Sequence, residues 1–283
     1  MYRSMLAVSL LLAGVAAAGT MDDPVWVREA VRLSFPGSTV RESTREVWQE
    51  VYGNYPEWAL LRKPAYYFEV IGKAEDREEG FAMSAAGEEP ESRRRLVKAQ
   101  FIVGASGRER RPVYVGLFTY TFLGVTHCEQ CWYAARVSLL EWREERWRAE
   151  TEMVGAGRAR VKSARFLDLA GDDEPELLVE VDGGGNLLSY SYLSVFSVSV
   201  GHLQLLGEVE TRFASARSGF NHQHVDKQLD VAKTRATGGH ELVFRVTTWW
   251  REGVRLRAPE VSEERVAVKR GGVPAAAPSK PAR

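Results

Sequence analysis

Cysteine, net charge and long apolar runs are all scarce in this chain of 283 residues. It has two cysteines, and beyond its N-terminus no stretch is apolar over enough residues to cross a membrane. Its 38 basic and 38 acidic residues cancel, and they alternate locally without a sustained basic block. A chain without such a block has no field that attracts nucleic acid. We therefore expect no nucleic-acid partner and no membrane span in the mature protein.

Familiar catalytic motifs are also missing from the sequence. It contains no GxSxG nucleophile elbow, no HExxH zinc motif and no Walker phosphate loop. Active sites also assemble from residues that are distant in sequence, so an enzyme remains an alternative. The sequence therefore favours a protein that is not an enzyme, and it identifies no catalytic residue.

The N-terminus has the three parts of a cleavable secretory signal. Arg3 supplies a positive charge, residues 5–18 form an apolar run that is short for a bilayer-spanning helix, and three alanines end it. We predict that residues 1–18 are a signal peptide and that the mature protein lies outside the cytoplasm, in a periplasm or secreted. No cysteine lies near the cleavage site, which excludes a lipid-modified N-terminal cysteine. A retained N-terminal anchor is the alternative.

Helical signals lie near the start of the mature chain. Residues 22–35 begin with acidic residues and a proline suited to a first turn, and Val27 and Val31 follow at helical spacing. A capping-box pattern at residues 43–46 predicts a second short helix that ends at Gly53. The N-terminal segment is therefore predicted to be helical.

Strand patterns dominate the rest of the chain. Apolar or alternating runs predict strands at residues 65–71, 110–124, 189–200 and 241–250. In the third of these, one face carries Tyr190, Tyr192, Phe196, Val198 and Val200, and serines are prominent on the other. The fold class is therefore predicted to be mainly β, with antiparallel sheets in a sandwich or a propeller-like arrangement and a short helical N-terminal segment. An α+β fold is the alternative.

These patterns divide the chain into four regions. Residues 1–18 are the signal peptide, and residues 19–155 combine the helical segment with a β region. Residues 156–270 form a second β-rich region, and residues 271–283, rich in proline, alanine and glycine, form a disordered tail.

Residues 138–153 fit either a helix or a hairpin. Their leucine, glutamate and arginine content suits a helix. A hairpin that turns between Arg143 and Arg146 would instead place Trp142 and Trp147 opposite each other. We favour the hairpin because it pairs the two tryptophans.

An acidic stretch, LAGDDEPELL, separates two of the strand patterns. Calcium loops place short acidic side chains at alternate positions, with a glycine where the backbone turns. Counted from Asp168, the acidic positions one, five and nine are Asp168, Asp172 and Glu176. Position three is Ala170, and position six is an aspartate where calcium loops have glycine. The stretch is therefore predicted either as a weak structural calcium site or as a tight acidic turn.

These residues resemble the calcium-loop repeats called FG-GAP or VCBS repeats, in which such a loop is followed by an acidic residue and an apolar strand. Here that continuation is Glu176 and the apolar residues after it, and the resemblance covers about residues 160–210. It implies a β-rich, exported protein that serves in binding, recognition or assembly. A second copy is predicted at residues 230–246, without a carboxylate cluster.

Both cysteines lie in one short stretch, HCEQCW. In an oxidising compartment the simplest prediction is a disulfide between Cys128 and Cys131. A redox-active pair is the alternative, although it needs a lowered thiol pKa that a strand context does not supply. A third possibility is a zinc site that adds His222 and His224 to the two cysteines.

The function predicted from the sequence is that of an exported binding or assembly module of the cell envelope. Its partner would be an envelope protein or a ligand that the sequence does not identify, and its possible cofactor would be structural calcium. The alternative from another class is an extracytoplasmic thiol–disulfide oxidoreductase that uses Cys128 and Cys131.

Overall fold

The protein is mainly β, as predicted, with two antiparallel sheets and two short helices among the residues that its computed structural model describes. None of these helices is long and apolar enough to span a membrane. The described residues are 24–43, 66–71, 94–106, 111–123, 134–154, 159–185, 188–199, 201–215, 221–252 and 255–268.

The first sheet follows the N-terminal helix and is a meander in which each strand pairs with the next along the chain. Helix α1 spans Pro24–Ser34, within the predicted helix, and ends before Gly37, whose φ of 76° turns the chain back. The strands are β1 (Thr39–Ser43), β2 (Tyr66–Ile71), β3 (Arg94–Ser106), β4 (Arg111–Leu123), β5 (Ala134–Arg143) and β6 (Arg146–Val154).

The second sheet contains the remaining strands in the order β13-β12-β11-β10-β9-β8-β7, and β14 pairs with β12. Helix α2 (Val231–Ala236) lies between β11 and β12. The strands are β7 (Ala159–Leu167), β8 (Glu176–Gly185), β9 (Leu188–Ser199), β10 (His202–Ser215), β11 (Asn221–Leu229), β12 (Glu241–Glu252), β13 (Arg255–Leu256) and β14 (Glu260–Ala267).

Helix α1, the first sheet and the second sheet form three layers. Because alternate residues of a strand face opposite sides, a strand of the middle layer contributes side chains to both cores. On β4, Phe118 and Tyr120 pack under the helix, whereas Val115 and Leu117 pack toward the second sheet. We call the side of the second sheet that faces the first sheet its inner face, and the opposite side its outer face. Four residues separate the end of the first sheet at Val154 from the start of the second at Ala159, but the two sheets share one buried core.

The second sheet is curled into a half-barrel around its outer face. Leu178 of β8 and Phe244 of β12 belong to the same buried cluster, although three strands lie between them in the sheet order. Three bulges accompany this curl, since each inserts an extra residue that bends a strand and increases its twist. The extra residues are Lys162 on β7 and Leu206 and Thr211 on β10.

The hairpin prediction for residues 138–153 is confirmed. Strands β5 and β6 are joined by a two-residue turn at Glu144 and Glu145, whose φ values are 50° and 61°. Positive φ at both positions is the turn that suits the twist of a hairpin, although glutamate rarely adopts it. Trp142 lies opposite Trp147, with ring centroids 5.7 Å apart.

Other parts of the chain differ from the predictions or fall outside the described residues. Seven strands were not predicted, namely β1, β3, β7, β10, β11, β13 and β14. Ser43, predicted to open a second helix, is the last residue of β1, and the rest of that helix lies outside the described residues. The predicted signal peptide and the tail at residues 271–283 lie outside them as well.

Candidate functional site

A groove with a volume of about 540 Å³ opens on the outer face of the second sheet. Side chains or backbone of β7 to β12 line it. It exists because β11 pairs with β10 over three residue pairs only, from Ala214 and His224 to Arg212 and Asp226, and then separates from it. Beyond Asp226, the β11 residues Lys227, Gln228 and Leu229 line the groove and do not pair with β10.

Two of the three bulges supply side chains to this groove. Along a regular strand, neighbouring residues point to opposite faces. Glu210 pairs with Tyr192 and Arg212 pairs with Ser191, so Thr211 is the extra residue between two pairs on opposite faces. Thr211 and Arg212 both line the groove as a result. Lys162 reaches it in the same way from the bulge on β7.

Positive charge exceeds negative charge in the lining. The basic residues are Lys162, Arg165, Arg212 and Lys227, and the acidic ones are Glu180 and Asp226. Four cations against two carboxylates give a formal charge of +2, in a chain whose formal net charge is zero. The groove is thus a local positive region on a neutral protein.

The two lysines are neutralised by neighbouring carboxylates. Lys162 Nζ lies 2.6 Å from Glu180 Oε1, and Lys227 Nζ lies 2.8 Å from Glu264 Oε2. The hydrogen bond to Glu180 raises the pKa of Lys162, and the charge of Arg212 opposes that rise. Arg212 is therefore close enough to Lys162 for its charge to act there.

The two arginines differ from the lysines, because neither forms an ion pair with any residue that the structure describes. Arg165 lies on β7 and Arg212 on β10, and both side chains are exposed. Asp226 lies directly across the strand pair from Arg212, but no ion pair within 4.0 Å joins them. The excess charge of the groove therefore resides on its arginines.

A buried hydroxyl lies beside this charge. Among the described residues, Thr211 Oγ1 is shielded from solvent and has no hydrogen-bond partner. Nearby, Ser191 donates its hydroxyl to Asp182 Oδ1 at 2.7 Å. A buried polar group without a partner costs free energy, so the unpaired Thr211 hydroxyl requires an explanation.

The floor of the groove is apolar and one end carries an aromatic pair. Leu193, Leu229 and Phe244 line the floor and continue into the buried cluster of the outer face. His224 lies across from Trp249, with ring centroids 5.1 Å apart. Trp249 and Trp250 are both half-buried, so neither forms a bare aromatic platform.

The predicted calcium loop joins β7 to β8 and is held by its own backbone. The carboxylate of Asp168 accepts hydrogen bonds from the N–H groups of Gly171 at 2.6 Å, Asp172 at 3.2 Å and Asp173 at 3.3 Å. The N–H of Glu174 donates to Asp172 at 3.1 Å. These are the contacts of a tight acidic turn.

Glu176 ends the loop with a buried carboxyl. Its Oε2 accepts a hydrogen bond from Leu169 N at 2.9 Å. Burial raises the pKa of Glu176, and the charges of Asp172 and Asp168 add to that rise. No group of three His, Cys, Asp or Glu side chains suited to a metal occurs in the described part of the chain. Calcium at Asp168, Asp172 and Glu176 stays a prediction.

The predicted second copy of the loop contains a short helix instead. Asp230 caps the N-terminus of α2, where its side chain accepts from Lys233 N at 3.1 Å. The two connections meet, since Arg235 Nε donates to the carbonyl of Asp168 at 2.8 Å. The acidic loop also contributes Leu169 to the buried cluster of the outer face.

The cysteines lie outside the described residues, between the end of β4 and the start of β5. The disulfide between Cys128 and Cys131 and the redox alternative therefore stay predictions. Of the histidines in the zinc alternative, His224 lines the groove, while nothing is described of the side chain of His222.

A scan against protein-family models found no match, and searches of curated proteins and of solved structures found none either. The resemblance to FG-GAP or VCBS repeats is neither supported nor refuted by these comparisons.

The groove itself was not among the predicted sites. Its charged residues come from four strands, one of them is the bulge residue Lys162, and no local motif marks them. One signal was present in the serines along one face of residues 189–200, since Ser191 lies on the outer face. A polar face on a long central strand indicates a surface that another layer does not cover.

Proposed function

We propose that this protein is an exported binding module that holds a small ligand in the groove on the outer face of its second sheet. Export, to a periplasm or beyond the cell, is inferred from the N-terminal signal pattern alone. The binding role is inferred from the groove, and it would make an envelope or extracellular ligand the partner.

The observation that carries the proposal is the set of polar groups that the groove collects in one place. Half-buried polar residues that serve stability are normally paired. The groove instead combines two unpaired arginines with an unpaired buried hydroxyl over an apolar floor. Ligand sites combine apolar surface with polar groups that fix orientation, and the groove does so with a lining that is mostly polar.

The oxidoreductase alternative has no structural observation in its favour, because its two cysteines lie outside the described residues. It makes a chemical prediction of its own. A redox enzyme would have a reactive thiol of low pKa after mild reduction, whereas a structural disulfide would resist reduction. Alkylation of the folded protein at several pH values separates the two.

The test of the binding proposal is a map of where small molecules bind. Amide NMR spectra of residues 19–283 would be recorded with inorganic phosphate, citrate, glucose and choline, which cover anionic, neutral and cationic chemistry. Saturable shifts that cluster at Ser191, Leu193 and Leu229 would support a binding groove. Shifts that cluster elsewhere, or none with any probe, would contradict it.

A variant that blocks the groove tests the same proposal without the need to assign the NMR resonances. Gln228 is exposed and lines the groove, so Gln228→Trp should fill part of it and weaken binding of any probe that shifts the spectrum. Thr39→Trp, on the exposed edge strand β1, is the matched control and should leave binding unchanged. The mature N-terminus of exported protein, read by mass spectrometry, tests the cleavage after Ala18.

A further inference from the structure

We propose that the groove recognises an oxyanion, a phosphate or carboxylate group of the ligand, through Arg165, Arg212 and the hydroxyl of Thr211. This inference rests on the proposed binding function and adds the chemical class of the ligand. It would hold for either group, because both present oxygens that accept hydrogen bonds from a guanidinium.

The first step of the argument is charge. The lysines of the groove are already neutralised, at 2.6 Å by Glu180 and at 2.8 Å by Glu264. The two arginines lack such partners among the described residues, and a guanidinium presents planar donors that match carboxylate and phosphate oxygens. The groove thus offers unpaired cations of the type that binds oxyanions with two parallel hydrogen bonds.

The second step is the bulge on β10. A regular strand would place Thr211 and Arg212 on opposite faces, but the extra residue places both in the groove. Bulges are found next to functional sites because they redirect a side chain at the expense of regular pairing. Here the bulge brings a hydroxyl donor next to a guanidinium donor on one strand.

The third step is the unpaired state of that donor. Thr211 Oγ1 is shielded from solvent and has no partner among the described residues. Leaving the hydroxyl without a partner costs stability. A rotation about the Cα–Cβ bond of Thr211 that turns the hydroxyl into the groove would let a bound oxygen acceptor satisfy it. A cationic ligand would not suit this site, because it would meet two arginines and only two carboxylates, one of which is paired to Lys162.

The experiment measures binding of inorganic phosphate and of citrate to residues 19–283 by calorimetry and NMR, at low salt and with added sodium chloride. Arg212→Gln and Arg165→Gln should each weaken binding about tenfold or more, because each removes a charged hydrogen-bond donor. Thr211→Val should weaken it about fivefold, the usual effect of one neutral hydrogen bond. Added salt should weaken binding by the wild-type protein more than by the arginine variants.

Thr211→Val separates binding from folding. Valine keeps the branched shape of threonine, and the hydroxyl that it removes has no partner, so the unfolding midpoint should stay the same or rise. Arg148→Gln, at an exposed arginine of the β5–β6 hairpin, is the control for loss of one positive charge and should bind like the wild type.

Three outcomes would contradict the inference, each in a recognisable way. If glucose or choline binds in the groove and neither anion does, the binding function stands and the oxyanion inference fails. If phosphate or citrate binds with the same affinity to all three groove variants, the anion is held elsewhere and the inference fails. If no probe binds in the groove, the proposed function fails as well. Phosphate alone or citrate alone would identify the class of group.

Discussion

The two sheets of this protein differ in how many of their faces are covered. The first sheet is covered on both faces, by α1 on one side and by the second sheet on the other. The second sheet has a packed inner face, while its outer face curls around a cluster of apolar side chains at one end and a charged groove at the other. At the groove the outer face carries two arginines that form no ion pair with a described residue.

Two arginines illustrate the difference. Arg136, on β5, is 3% exposed beneath α1, where it donates to the carbonyl of Ser34 at 2.5 Å and lies 4.7 Å from the ring centroid of Phe35. Arg212 is exposed in the groove and has no ion pair with a described residue. The first arginine closes the end of a helix, and the second remains available to something outside the chain. Residue type alone therefore does not reveal which role an arginine has.

The largest expected effect is a difference in lost stability between truncations on the two faces of β9. Phe196 is fully buried in the core that the sheets share, so Phe196→Ala should lower the free energy of unfolding by about 3–5 kcal/mol. Leu193, on the outer face of the same strand, is half-buried, and Leu193→Ala should lower it by about 1–2 kcal/mol. Urea unfolding of both variants checks the contrast. Equal losses would mean that the outer face is packed as tightly as the inner one.

The next effect concerns the buried arginine. Arg136→Ala should lower the free energy of unfolding by about 2–4 kcal/mol, because it removes a charged hydrogen bond to the end of α1 and the contact with Phe35. Arg136→Met keeps most of the packed volume, so its loss should be smaller. Urea unfolding with circular dichroism measures both. A loss below about 0.5 kcal/mol for the alanine variant would mean that the arginine does not hold the helix.

The acidic loop comes third. Asp168→Ala should lower the free energy of unfolding by about 1–2 kcal/mol in excess chelator, because three backbone N–H groups lose their acceptor. Thermal and urea unfolding measure it, and Asp168→Asn, which keeps one acceptor oxygen, should lie between the two proteins. A neutral alanine variant would contradict the hydrogen-bonded turn.

The same loop decides the calcium prediction. If Asp168, Asp172 and Glu176 bind calcium, a hundredfold excess over the dissociation constant should add about 2.7 kcal/mol of stability. Asp172→Ala should abolish that gain. Identical unfolding midpoints in chelator and in calcium would overturn this ligand set, and with it the main reason for the resemblance to calcium-loop repeats.

A smaller effect should appear in how the free energy of unfolding depends on pH, through the carboxyl of Glu176. Burial raises its pKa above the value in the unfolded chain, so the stability that it contributes is present at low pH and is lost as pH rises through the raised pKa. Glu176→Gln keeps an acceptor for Leu169 N and does not titrate. In chelator, the free energy of unfolding of the variant should therefore rise relative to that of the wild type as the pH is raised from about 4 to about 8.

The control for this prediction is Glu174→Gln, which removes an exposed carboxyl from the same loop. Its stability relative to the wild type should change less with pH than that of Glu176→Gln. A Glu176→Gln variant that loses stability as pH rises would show that the ionised carboxylate is favoured in the folded protein, as a bound cation would require.

Apolar residues that recur every two or every 3.6 positions were sufficient to predict the class of fold, the first helix and the long apolar strands. The β5–β6 hairpin was predicted from its tryptophans and not from its turn, because Glu144 and Glu145 adopt a turn that usually contains asparagine and glycine. Strand β14 was not predicted, because its residues are nearly all exposed and its pattern carries little apolar signal.

The groove could not be predicted because no local sequence pattern marks the bulges or the curl of the second sheet. Lys162 and Thr211 are bulge residues only by virtue of how their neighbours pair across strands. Arg165 and Arg212 are separated by 47 positions in sequence and come to one face through the curl of the sheet. Acidic clusters, by contrast, are conspicuous in a sequence, and the one at Asp168 is accounted for locally by backbone hydrogen bonds.

The most direct test of the central claim, that the charges of the outer face serve binding and not folding, is the free energy of unfolding of the double variant Arg165→Gln, Arg212→Gln without ligand. Removing two unpaired cations should leave it within about 0.5 kcal/mol of the wild type, or slightly higher because repulsion with Lys162 is relieved. A loss of about 2 kcal/mol or more would contradict the claim, because the arginines would then be structural residues and the groove would have no unpaired charge to offer a ligand.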